Sequence, residues 1–289
     1  TTDANAGVIN LGTMAVDGTI ALTTNSTGAA TIVNDAALTF AASTVGGALT
    51  ATATTGDITD SGTLTITGAS IFKTAATGSN IVLDSASNAY SAAVTMIADA
   101  GGETFGNITF VDSAAIDFAT SASSNGDLYI NAATDGAVGG NLSVTATTGN
   151  ITDTVALAVT GTSSFTTSAS NGTITLNTST NALTGAVTLT TIGSSGNATI
   201  DNGTTALNIA ASTVGGNLTV TSGDSITDSG VITVSGTASF TTDTSDKLIT
   251  LNSQNAITGQ VTFDTTSTGG DVTLDNGTTA ISLGTIASG

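Results

Sequence analysis

The side chains in this chain that could do acid–base chemistry are carboxylates and almost nothing else. Asp57 and Asp60 sit in "GDITD", and Asp224 and Asp228 in "GDSITD". Two carboxylates across a sugar can hydrolyse a glycosidic bond, one as acid and the other as base or nucleophile. There is no histidine, and the basic residues are two lysines, Lys73 and Lys247, so neither imidazole nor guanidinium is present to assist. The equivalent stretch between the two motifs reads "GNITD", with Asn150 in place of the first Asp. A catalytic pair belongs in one place, whereas a motif stamped into successive repeats serves turns. The expectation is therefore a protein that is not an enzyme, with no catalytic residue and no organic cofactor.

Calcium is the stronger competitor for the same residue type. Asp271 and Asp275 in "GGDVTLDNG", and Asp201 beside Asn202 in "ATIDNG", put hard oxygen ligands next to tight turns. The Gly-rich nonapeptide that marks calcium-binding β-rolls is missing. The competing assignment is an Asx turn, in which each Asp bonds its own backbone two residues on. Asn-x-Ser/Thr sequons occur at Asn25, Asn107, Asn141, Asn197 and Asn217, among others, in a chain so rich in these residues that chance supplies many. Outward threonine rows could bind ice, but Thr serves every apparent face, as its β-propensity alone explains. The two lysines occupy unmatched repeat positions, which argues against systematic isopeptide cross-links.

The elements that would position these groups are written in repeats. "GGALTATATTGDITDSGTLTITGASIFKT", "GGNLSVTATTGNITDTVALAVTGTSSFTT" and "GGNLTVTSGDSITDSGVITVSGTASFTT" start at Gly46, Gly139 and Gly215. Strings at 20–47, 187–216 and 261–289 form a second matching set, so one pattern runs through the whole chain, read here as a single continuous domain over 1–289. The first interval exceeds the second by 17 residues, and the surplus falls at 120–136, itself strand-like. An insertion that leaves the flanks in phase should be one whole turn of a stack.

Within each repeat, Leu218 and Val220, then Ile232 and Val234, are apolar residues separated by one polar residue. That is the period of a strand with one buried face. Gly, Asn, Asp and Ser punctuate the runs where turns are needed. Phe72, Phe165 and Phe240 occupy matching positions and are expected in the core with Leu218, Val220, Ile232 and Val234. Helix is disfavoured by 35 glycines and abundant Thr and Ser. The fold expected is all-β, a parallel β-helix of about 15 coils if a coil takes roughly 17–20 residues.

Against 21 acidic residues, two lysines leave a formal charge of −19. Phosphate recognition depends on cationic side chains, so nucleic acid and anionic membrane surfaces are excluded as partners. No apolar run of membrane-spanning length occurs, and with no cysteine the redox compartment is not readable.

The stretch "GNLTVTSGDSITDSGVITVSGTASF", with its counterparts at 140–165 and 47–72, resembles the repeat region of bacterial filamentous-haemagglutinin-like exoproteins, adhesins exported by two-partner secretion. The resemblance implies a right-handed parallel β-helix, a secreted or cell-surface location and a part in adhesion or matrix formation. The first and last stretches, 3–18 and 275–289, also resemble each other, with neither end capped. An uncapped solenoid should stack on something, so the chain is expected to be either a segment of a much longer rod or a subunit that polymerises head to tail. The expectation is a structural or adhesive filament segment; the alternative is a carbohydrate- or surface-binding module, for which Tyr90 and Tyr129 are the candidate platforms, and a polysaccharide-degrading enzyme ranks behind both.

Overall fold

The computed structural model describes residues 1–98, 106–119, 127–130, 137–266 and 269–288. These contain strands and turns and no helix. The chain divides into two compact units, Thr1–Thr147 and Thr148–Gly289. The fold is a parallel β-solenoid, with about 11 turns in the two units together.

A coil has one long and two short strands. In the first unit, Ala30–Asn34 is long, Leu38–Phe40 and Ser43–Val45 are short, and the next long strand is Leu49–Ala53. Each pairs in parallel with its equivalent one coil on: Ala30 with Leu49, Leu49 with Ser70, Ser70 with Val94. Those partners lie 19, 21 and 24 residues apart, and in the second unit Ile151 pairs with Ile174 and Ile174 with Ala198 at similar spacing. The expected 15 coils are thus too many, because most coils take more residues than the roughly 17–20 assumed.

Alternation decides which residues face inward. Long strands such as Leu49–Ala53 read buried, half-buried, buried along their length, as period-two geometry requires. Phe72, Phe165, Phe240, Leu218, Val220, Ile232 and Val234 are all buried as expected. In the first unit, Phe40, Phe72, Tyr90 and Phe110 form an aromatic spine, with ring centroids 6.2, 6.2 and 5.1 Å apart. Many long strands end on an inward Thr: Thr74, Thr191 and Thr265 donate their hydroxyls to the carbonyls of Ser79, Gly196 and Gly270, satisfying a polar group that would otherwise be stranded.

The coils do not form one uninterrupted stack of long strands over long strands. In the second unit, the long strand Val187–Ile192 is followed directly by another, Ala198–Asp201. Up to that point long strands stack in the ladder of Ser163–Ser170; afterwards they stack as Ala198–Asp201, Leu218–Ser222, Ala238–Thr242 and Gln260–Thr265, in the ladder that had held the short Ile174–Leu176. At the changeover Val187 pairs with Ile209 and Thr190 with Thr213, so one long strand faces two short ones across a corner. The first unit repeats the joint: Ile20 pairs with Phe40 and Thr23 with Thr44.

Both joints are made by the same heptapeptide, "AASTVGG", at 41–47 and 210–216. At the corner the backbone ladder is interrupted, and one N–H facing it is taken by a side chain instead of a carbonyl. Ser43 Oγ accepts it from Leu22 at 3.0 Å and donates to Ala41 O; Ser212 Oγ accepts from Leu189 at 3.0 Å and donates to Ala210 O. The hydroxyls of Thr24 and Thr191 then take the N–H groups of Gly46 and Gly215. The surplus at 120–136 lies mainly outside the described residues; its strand Asp127–Ile130 pairs with Val94–Ala98 and with Ile116–Phe118.

Candidate functional site

The carboxylates of the "ITD" motif are engaged in the wall. Asp60 accepts the N–H of Asp84 at 3.0 Å and the amide of Asn88 at 2.6 Å. Asp153 does the same with Asn177 N at 2.9 Å and Asn181 Nδ2 at 2.6 Å, and Asp228 with Asn252 N at 2.9 Å and Asn255 Nδ2 at 2.7 Å. In every repeat this Asp clamps the turn of the following coil, which is why it recurs while its neighbour varies between Asp57, Asn150 and Asp224. Asp57 and Asn150 accept Asn80 N and Thr173 N, one coil on. Asp224 bonds Ser225 N at 2.6 Å and pairs with Lys247 at 3.0 Å; those backbone and lysine donors hold its carboxyl below the usual range.

The residues considered for calcium serve turns of their own. Asp201 Oδ1 accepts Gly203 N and Asp275 Oδ1 accepts Gly277 N, each at 2.9 Å, closing Asx turns. Asp271 has an exposed side chain, while its backbone carbonyl accepts Ile249 N. Among the described residues no three His, Cys, Asp or Glu side chains come together as a metal-ligating group. Asp201, Thr221, Thr241 and Asp264 are in register across neighbouring long strands, so a carboxylate at each end breaks what would be a threonine row.

Tyr90 is not a sugar platform. It is 2 % exposed, wedged between Phe72 and Phe110, because its strand position faces the interior. The side chain of Tyr129 lies outside the described residues.

Sequence reasoning overlooked the corner amides. Buried Asn88, Asn181 and Asn255 each accept a backbone N–H from the preceding coil, from Leu64, Leu157 and Ile232, and donate to the "ITD" carboxylate. Asn34, Asn202 and Asn276 accept from Val16, Leu183 and Ile257 and donate back to the carbonyl of that same residue. The available signal was positional: Asn34 and Asn202 fall at the fifth residue of "ATIVN" and "ATIDN".

The first and last described strands carry apolar side chains at core-facing positions. In Ser282–Ser288, Leu283 pairs with Val261 and Ile286 with Phe263, both buried, so they occupy core-facing positions. Yet Leu283 is 53 % and Ile286 49 % exposed. In Ile9–Met14, Leu11 pairs with buried Ile32 and is 41 % exposed. These apolar side chains, beside a row of unpaired backbone groups, form a surface whose natural complement is another coil.

A family model described as repeats of unknown function (DUF5649) matches residues 27–97, 131–190 and 195–264, more than half of the chain. The first and third matched stretches each run from one long strand, through three coils, to the long strand three coils on. No curated protein and no solved structure matches the chain.

Proposed function

The chain belongs to this family of repeats of unknown function, and from that footing we propose that it is a structural, adhesive solenoid, a segment or subunit of an extracellular filament or matrix that lengthens by stacking coil on coil. The observation that carries the proposal is the parallel, in-register stacking of each coil on the next, Ala238 on Val261 and Val261 on Leu283, which presents the same core-facing apolar side chains for a further coil to cover, whether of this polypeptide or of another copy. Burying those side chains and pairing the edge backbone favours association with a strand of the same register and pattern. Head-to-tail stacking is heterologous and does not close, so it produces threads. The acidic surface, with a formal charge of −19, keeps the sides of such threads apart while the apolar ends meet. The extracellular location in this proposal rests on the resemblance of the repeats to filamentous-haemagglutinin-like exoproteins.

Sedimentation of the purified chain tests this. The wild type should associate with rising concentration, and Leu283→Asp with Ile286→Asp should leave it monomeric with its strand signal intact. A wild type that stays monomeric at the highest attainable concentration overturns end-to-end stacking.

A further inference from the structure

One corner of the first unit holds a carboxylate where two matching corners hold an amide. Asp112 is the fifth residue of the strand Ile108–Asp112, the place that Asn34 holds in Ala30–Asn34 and that Asn202 holds directly after Ala198–Asp201. It is buried, and it makes the same contact with the preceding coil: its Oδ1 accepts Tyr90 N at 3.2 Å, as Asn202 Oδ1 accepts Leu183 N at 2.8 Å. Asn34 and Asn202 also donate, to Val16 O and Leu183 O, which an ionised carboxylate cannot do.

We propose that Asp112 is a proton-operated latch of the first unit, closed when its carboxyl is neutral like the amides at the matching corners, and loosened when it is charged. The charged form has no counter-ion to lean on. The chain's two cations are Lys73, in register with Thr52 and Ile97, and Lys247, which is paired with Asp224. Among the described residues, the titratable groups on neighbouring elements are Asp60, Asp84, Asp117 and Tyr90, all acids, and the strand Leu142–Ala146 paired against Ile108–Asp112 has none. The phenol of Tyr90 is itself buried without a hydrogen-bond partner, and burial, then Asp60 and Asp112, raise it well above its ordinary value. Around Asp112 two effects compete. Burial raises its carboxyl, while backbone N–H groups of Tyr90, Ala114 and Ser113 lower it, and the balance stands at about 6.

The sign follows from linkage. The folded carboxyl takes up its proton at about 6 and the unfolded one near the usual 3.8. Stability from this group is therefore full below the unfolded value and is lost as pH rises through about 6.

The test is the thermal midpoint of the full chain at pH 7.5 and 5.0, for wild type, Asp112→Asn and Asp17→Asn. Acidification also relieves general charge repulsion, so the reading is the difference between variants. The wild type and Asp17→Asn, which removes an exposed carboxylate, should gain roughly 4 °C more on acidification than Asp112→Asn. Asp112→Asn should also be the more stable protein at pH 7.5. An equal rise in all three overturns the latch. Should Asp112→Asn fail to fold, carboxyl NMR of the wild type decides: a titration near 6 supports the proposal and one near 4 refutes it.

Discussion

Phe240→Ala should lower the thermal midpoint of the chain by roughly 10 °C, from a loss of about 3–5 kcal/mol for emptying a fully buried aromatic site. Phe240 is inaccessible to solvent, in register with Val220 on one side and Phe263 on the other. Its ring lies 5.7 Å from that of Phe263 at an interplanar angle of 20°. A solenoid interior cannot collapse sideways into the hole, because each neighbouring side chain is fixed in height by the backbone ladder above and below. Thr241→Ala, one residue on and facing outward, is the control and should cost well under 1 kcal/mol. Equal, small effects from the two substitutions would mean that Phe240 is not packed as described. The measurement is a thermal melt followed by far-ultraviolet circular dichroism.

Gly259→Ala is the second large effect, and it has a different cause. Gly196, Gly216, Gly236 and Gly259 form a column at one corner of the second unit, in which the N–H groups of Gly216, Gly236 and Gly259 each donate to the carbonyl of the glycine one coil before. A Cβ on Gly259 would lie 2.2 Å from Gly236 O, 2.4 Å from Gly236 C and 2.7 Å from Thr237 N, all backbone atoms. Nothing flexible is there to yield, so the corner must open and its hydrogen bond lengthen. The expected cost is about 3 kcal/mol, at the upper end of ordinary overpacking. The exposed Gly18, which has nothing within 4 Å of an added Cβ, provides the comparison: Gly18→Ala should be nearly silent. Chemical denaturation of both variants checks the contrast, and a Gly259→Ala midpoint equal to that of Gly18→Ala would refute close packing at the column.

These two sites show what sequence reading could and could not reach. Phe240 was legible because alternation in "ASFTT" and its recurrence at Phe72 and Phe165 specify an inward position whatever the coil shape. The glycine column was not. Gly216, Gly236 and Gly259 do not have positive φ; their necessity comes from a neighbour about 20 residues away in sequence, and only the coil length brings the two together. The "ITD" aspartates were legible as structural from their recurrence, while their partners in the next coil were not. The joint illustrates the same limit: the identical "AASTVGG" segments are plain on the page, but that they mark a change of ladder follows from two long strands meeting without short ones between. Asp112 was invisible because its meaning lies in replacing an Asn, which shows only once the corners are superposed.

The central claim is that this chain is built to extend by adding coils, and electron microscopy of the native material tests it most directly. The account predicts continuous unbranched threads whose diffraction carries a meridional spacing of about 4.8 Å, the separation of stacked strands. Isolated compact particles of uniform size, with no end-to-end contacts at any concentration, would contradict it.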